Sequence, residues 1–560
     1  MDVEILSRIQ FAFTVAFHYI YPPISIGLGL QLVLMQAFWL KTRNPIYHNM
    51  ARFWTRVFAI SFAIGVATGI VMEFEFGTNW ATYSRFVGDV FGSPLAIEGI
   101  YAFFLESGFL AILLFGWDKV GPRTHFFATC MVCLGAHFSA VWILVANSWM
   151  QTPTGFHLAK KVKVTADGKE HPYSADLGDT PFEIKEVPLP EGYILREEDL
   201  DSIRAVIDSF WEMCFNPSSL DRLTHTIIGC WLTGAFLVVS ISAFYILTKR
   251  HTKFAQTSLK FGLGVGAVAS LLQLWSADST ARGVAENQPT KLAAIEGLSQ
   301  TTTQAPLGLF GIVMWDKDED GNIIGIKEYS VKIKGLLSIL VDGDFTNPIE
   351  ASNTKVKGLD QLPSDEFLRE RYGEHVTDEE LKIIRPQYWP IVPVVFQTYH
   401  LMIFMGMGLI GISLIGVTLW KTGYLFRTDI KWIKWFFWIL IASVFMPQIA
   451  NQAGWFTAEM GRQPWVVYEI LKTSEGLSRA VKAEQVLFSL IMFFLIYSLL
   501  FMVFVVTLST KIYHGPKDDE SIEILPEKWR PMALKGSRQT SAALPADSDP
   551  STVDENSDKE

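Results

Sequence analysis

The sequence predicts an all-α membrane protein: a bundle of about nine transmembrane helices, N-terminus outside, C-terminus inside, with two long outer loops. Three observations carry this expectation. Half of the 560 residues are hydrophobic, 13% are aromatic and only 19% are charged, an apolar balance for a chain of this size. Apolar runs of roughly 20 residues, the length needed to cross a bilayer, recur along the chain. Lysine and arginine collect in every second short loop, which marks those loops as cytoplasmic.

The runs cover residues 9–39, 53–76, 94–116, 124–149, 221–248, 258–277, 391–420, 434–457 and 484–509. The first contains Tyr21-Pro22-Pro23, and proline there is expected to kink the helix. The N-terminus has neither a basic leader nor a small-residue cleavage site, so this first run should stay in the mature protein as a span. Basic residues lie between spans one and two (Lys41, Arg43, Arg52, Arg56), three and four (Lys119, Arg123), five and six (Lys249, Arg250, Lys253) and seven and eight (Lys421, Arg427, Lys431). This divides the chain into helices 1–4 over 1–149, an outer polar loop at 150–220, helices 5–6 over 221–277, a second outer loop at 278–390 and helices 7–9 over 391–510. Residues 511–560 form a cytoplasmic tail whose acidic, apolar-poor end is expected to be disordered.

Other function classes fall away. A net charge of −10 offers no basic stripe for nucleic acid. Cys130 and Cys133 on a span, Cys230 on another and Cys214 in a loop draw no disulfide or zinc framework and read as apolar fillers. No internal repeat of the transporter kind is evident. DKDEDGNIIGIKE opens like a calcium loop at Asp316, Asp318, Asp320 and Gly321, but Lys327 stands where a bidentate glutamate is needed, so a hairpin turn is expected.

Ionisable groups inside spans cost several kcal/mol and default to functional hypotheses. They are His18, Glu73, Glu98, Glu106, His137, His225, His400 and Glu459, with Met402 as a soft donor. Any one alone could be a group hydrogen-bonded between helices. Sidedness places His18, His225, His400 and Met402 in the outer half and Glu459 at the outer end of span eight, so the candidate ligands share one layer. Imidazole, thioether and carboxylate groups converging from several helices suit haem or another metal centre. On a continuous α-helix Glu98 and Glu106 would lie about 80° and roughly 12 Å apart, a spacing that suits a proton relay. Lys291 and Glu296, just after span six, stand beside apolar residues. A proton channel or secondary transporter would also use the acids, but not the ligand layer.

The segments LSRIQFAFTVAFHY, GVATGIVMEFEFGTNW, PLAIEGIYAFFLESG, AVWILVANSWMQTP, LTHTIIGCWLTGAF, TKLAAIE and GWFTAEMGRQPW occur in this order. Through them, from the N-terminus to about residue 510, the chain resembles the large subunit of the cytochrome bd-type quinol oxidases. The resemblance implies that His225 and Met402 are axial ligands of a low-spin haem b. His18 and Glu459 would then serve a high-spin pair, a haem b and a haem d or a further haem b. It makes Lys291 and Glu296 quinol-site residues of an outer Q-loop. Glu98, Glu106, Ser107 and Ser139 become a proton route, and Trp455 and Arg462 neighbours of the haems.

The implied activity is electrogenic oxidation of quinol outside and reduction of O2 to water with cytoplasmic protons, without pumping. The setting would be the bacterial inner membrane, with a second membrane subunit and a small single-helix accessory subunit. A quinone-linked cytochrome b without oxygen chemistry is the neighbouring alternative. Two departures stand out: His400 sits where better-known members carry arginine, and the 152–220 loop is longer than expected of the family.

Overall fold

The computed structural model describes residues 2–178, 180–196 and 199–516; the tail expected to be disordered lies, from residue 517, outside the described residues. The principal helices are α1 (Val3–His18), α2 (Tyr21–Thr42), α3 (Pro45–Thr78), α4 (Gly88–Ile97), α5 (Phe104–Phe115), α6 (Pro122–Gln151) and α7 (Ser219–Leu247). They continue with α8 (Thr252–Asn287), α9 (Pro289–Glu296), α10 (Val392–Lys421), α11 (Lys431–Ala442), α12 (Phe445–Met460) and α13 (Ala483–His514). Among the described residues, eight helical stretches are long and apolar enough to cross a membrane, and the bent pair α11–α12 makes a ninth.

The first span breaks between His18 and Tyr21, as its prolines dictate: Pro22 and Pro23 have no N–H to offer the carbonyls one turn back. Span eight departs from the expected single rod. Its halves meet at 41°, because Pro447 cannot donate to the carbonyl of Ser443. Span three departs further, since Glu98–Phe103 wind as a π-helix between α4 and α5. Six residues of wider turn invalidate the α-helical angle and rise expected between Glu98 and Glu106.

Helix α7 is the axis of the bundle, with 83% of its most apolar window buried, whereas α13 is peripheral at 11%. The α2–α7 crossing depends on two glycines. A Cβ on Gly27 would lie 2.1 Å from the Cys230 carbonyl oxygen, and one on Gly234 would lie 2.3 Å from the Gly27 carbonyl carbon. Bare backbones let the helices touch.

The segment expected as an outer polar loop at 150–220 is an ordered antiparallel sheet. Strand β1 (Phe156–Thr165) pairs with β3 (Phe182–Pro188) along one edge and with β2 (Glu170–Pro172) and β4 (Ile203–Ile207) along the other. In the second long segment β5 (Leu307–Lys317) and β6 (Ile323–Ile333) form a hairpin. Its tip is the expected turn: Gly321 N–H donates to Asp318 C=O at 3.1 Å, and Lys327 pairs with Asp316 across the strands at 2.6 Å. Both segments gather at one end of the bundle, tied by the chain that follows α12. Tyr468 N–H donates to Met150 C=O at 3.0 Å, Arg479 pairs with Asp201, and Arg371 donates to Glu469 C=O.

Candidate functional site

Three amides within five residues make α12 the hub of the site. Gln448 donates to Ile20 C=O at 3.0 Å and Gln452 to Ala16 C=O at 2.7 Å, straddling His18. Asn451 donates to Thr233 at 3.0 Å, and its carboxamide oxygen lies 2.7 Å from where a Gly229 Cβ would be, one turn beyond His225. On the same face, a Cβ on Gly454 would lie 2.8 Å from Met402 Sδ. Glu459 follows in the last turn. The helices carrying His18, His225 and Met402 therefore all converge on the helix that carries Glu459. Sequence reasoning did not single out Gln448, Asn451 or Gln452, though amides in an apolar span are a legible sign of interhelical contacts.

Hydrogen bonding separates the four histidines. His18 Nδ1 lies 2.9 Å from Thr68 Oγ1, whose own proton goes to the carbonyls of Ile64 and Gly65. Thr68 therefore accepts, His18 carries its proton on Nδ1, and Nε2 keeps a lone pair. Fixing the tautomer by bonding the far nitrogen is how a ligating histidine is prepared. His225 is held differently: its Nδ1 is 3.1 Å from Ser276 Oγ, and the Gln273 amide nitrogen lies 3.0 Å from both ring nitrogens.

The other two histidines differ. His137 is used at both nitrogens: Nδ1 faces Cys133 C=O at 2.7 Å, and Trp231 donates to Nε2 at 2.9 Å. His400 faces carbonyls at both nitrogens, Phe396 at 2.8 Å and Gly308 at 3.2 Å.

The acids divide as well. Ser139 donates to Glu98 at 2.5 Å, and buried Glu106 packs where a Gly135 Cβ would come within 2.9 Å of its own Cβ. These three line one seam between span three and α6. Ser107 instead turns back to Phe104 C=O at 3.5 Å, and Glu73 lies on an exposed face of α3.

Around Glu459, basic groups outnumber acids. Its carboxylate pairs with Arg462 at 2.5 Å and accepts from Asn147 at 3.0 Å and Gln151 at 3.4 Å. Arg222 donates to the same Asn147, while Lys291 donates to Gln151 at 2.5 Å and to Gln288. Lys291, on α9 outside the spans, is held well below the usual lysine range, by burial first and then by Arg222 and Arg462. Even with Lys291 neutral, two guanidiniums face one carboxylate. Arg462 Nη1 and Arg222 Nε are buried without a hydrogen-bond partner. Unpaired buried charge is costly, and further anionic groups, such as the propionates of haem, would complete the set. Arg222 escaped the sequence reading, although LDRLTHT places it three residues before His225 and thus on the same helical face. Trp455 is half-buried on α12 with its ring against Phe456.

Glu296 is buried at the end of α9, where it accepts from the Gly308 N–H at 3.3 Å. Burial pushes its carboxyl up to about 8, with the Gly308 N–H opposing. Since Gly308 C=O faces His400, one residue of β5 links Glu296 to the helix that carries Met402.

The bare Gly454 gives a direct test of this packing. Gly454→Val would push methyl groups into Met402 Sδ, where even a Cβ comes to 2.8 Å. Overpacking of this kind costs roughly 1–3 kcal/mol; differential scanning fluorimetry should show a lowered melting temperature, and any haem held by Met402 should change its spectrum.

Comparison with known proteins agrees with this geometry. The sequence model of the family described as cytochrome bd terminal oxidase subunit I matches residues 6–174 and 187–516. The unmatched residues 175–186 fall in the sheet-bearing segment, between β2 and β3 and within β3 itself. The cytochrome bd-II ubiquinol oxidase subunit 1 of Escherichia coli (strain K12) is 34% identical over 536 residues, covering 89% of this chain and 94% of the relative. The cytochrome bd ubiquinol oxidase subunit 1 of Bacillus subtilis (strain 168) is 33% identical over 525 residues, covering 94% and 96%. Among solved structures, the bd oxidase from Geobacillus thermodenitrificans superposes with a TM-score of 0.70 at 27% identity, covering 92% of this chain and 99% of that one. A multi-pass bundle converging on α12, matched along nearly its whole described length, places this chain in the cytochrome bd terminal oxidase subunit I family.

Proposed function

We propose that this chain oxidises quinol at the end of the bundle that carries Lys291 and Glu296, and that the complex it builds reduces O2 to water. The reading is carried by the site around α12: two histidines on helices that meet it, a methionine sulfur against a bare glycine, and guanidinium nitrogens without partners beside Glu459. His225 and Met402 would hold a low-spin haem b; His18 and Glu459 would hold a high-spin haem b and a haem d or further haem b. When bound, these groups supply one-electron transfer and oxygen chemistry.

The protein's own residues do the rest. Arg222 and Arg462 would neutralise propionate charge and fix orientation, with Lys291 beside them at the quinol end. Glu296 accepts a quinol proton, with Gly308 N–H aiming the carboxylate. Glu98, Ser139 and Glu106 carry protons from the cytoplasmic side. Protons released outside and consumed from inside would store about 2.3 kcal/mol per charge per 100 mV. The proposed setting is the bacterial inner membrane, with a second membrane subunit and a single-helix accessory subunit beside this chain. Ubiquinol and menaquinol, named for the relatives, are the substrate class.

Oxygen uptake driven by added quinol tests this reading against a quinone-linked cytochrome b, which would show none. The pH profile tests Glu296. In the fold its carboxyl titrates near 8 against an ordinary 4.5, so between these values it keeps a proton that the unfolded chain loses. Its contribution to stability falls as pH rises through that window. Its availability as a base rises over the same window. Turnover should therefore climb towards about pH 8, and Glu296→Gln should flatten that limb and cost ~10²–10⁴-fold in rate. A variant that keeps the limb would remove Glu296 from the reaction.

A further inference from the structure

The β5–β6 hairpin has two unlike faces. On one, Val313 is 2% exposed, and it and Glu328 cover α9: a Cβ on Gly297 would lie 3.1 Å from Val313 and 3.2 Å from Glu328. On the other, the cross-strand pairs Phe310–Val331 and Ile312–Tyr329 stand 50–64% exposed. Strand pairs alternate faces, so this apolar face is built by the register. An exposed apolar surface of this kind marks a binding surface.

Its place along the bundle says what covers it. Strand β5 is bonded to α10 at Gln397, which donates to Gly311 C=O at 2.9 Å, and at His400, which faces Gly308 C=O. These positions lie five and eight residues after Val392, about 7–12 Å along the span from its start. Gln397 belongs to the exposed stripe of α10 that runs on through Val394, Leu401 and Phe404, the surface that a multi-pass protein turns to lipid. The hairpin tip carries Asp318, Glu319 and Asp320 and must stay in water. The open edge of β6 cannot be satisfied in hydrocarbon. Lys332 lies on the other face, paired with Glu328, and so adds no charge to the apolar face.

We infer that the hairpin is an interfacial membrane contact: its Phe310, Ile312, Tyr329 and Val331 face dips among lipid headgroups and upper acyl chains while its tip stays in water. The opposite face then walls the Glu296 pocket from the bilayer, a consequence that rests on the quinol reading, whereas the lipid contact itself does not.

Spin labels test it in the whole complex in lipid nanodiscs, after replacement of the four native cysteines and with haem content checked on each variant. For labels at Phe310→Cys, Ile312→Cys and Tyr329→Cys, collision with dissolved oxygen should exceed collision with a water-soluble nickel chelate, and Glu319→Cys at the tip should show the reverse. Nickel access at the three face positions equal to that at Glu319 would overturn the inference. So would protection from both reagents, which would mean that another protein covers the face. Loss of quinol turnover in Glu296→Gln bears on the quinol reading and leaves these accessibilities unchanged, so the two can fail separately.

Discussion

His225→Ala is expected to abolish the low-spin haem signal while leaving the remaining haem absorbance, and to reduce quinol-driven oxygen uptake to background. The reason is local. Ser276 and the Gln273 amide hold the His225 ring in place, and its Nε2 is the proposed ligand atom. Alanine removes that atom without disturbing the α12 amides that hold His18 and its helix in place. Of the two neighbouring span histidines, His137 already faces Cys133 C=O and the Trp231 N–H, and His400 faces two carbonyls. A reduced-minus-oxidised spectrum of the variant checks this. Survival of the low-spin signal would transfer the ligand role elsewhere, first to His400.

Glu459→Ala should have the second large effect. It removes the carboxylate that Arg462 and, through Asn147 and Gln151, Arg222 and Lys291 surround. Breaking a buried pair by deleting one partner costs about 3–5 kcal/mol, because the other charge is left uncompensated. The Arg462 and Glu459 side chains are only 4% and 14% exposed, so water does little to offset it. The expected outcome is loss of one high-spin haem together with a lowered melting temperature. Glu459→Gln should recover part of the stability, since it still accepts from Asn147, but not the haem. Thermal denaturation and haem extraction on both variants separate charge balance from ligation.

Much of this was legible in the sequence because it depends on composition and spacing. Nine apolar runs, alternate basic loops and the proline pair at Pro22–Pro23 follow from what a bilayer and a missing N–H require. The hairpin at Asp318–Gly321 followed from turn chemistry. What was missed depends on tertiary contact. The π-helical turn at Glu98–Phe103 has no composition signature, so the geometry expected between Glu98 and Glu106 was wrong. The bend at Pro447 was visible as a residue but was not read as a break. The sheet at 156–207 is stabilised by long-range pairing across a segment that reads as polar loop. Arg222, Gln448, Asn451 and Gln452 were visible as polar residues in apolar runs, but the helices they join are set by the packing at α12. Ser107 shared a motif with Glu106, yet the helix turns it back to the Phe104 carbonyl.

The central claim is that this fold assembles haem around α12 to reduce oxygen. The most direct measurement is a reduced-minus-oxidised spectrum with haem extraction on the purified complex. One low-spin b signal and two high-spin haems per copy of this chain are expected. Absence of haem absorbance from a folded, intact complex would contradict the claim.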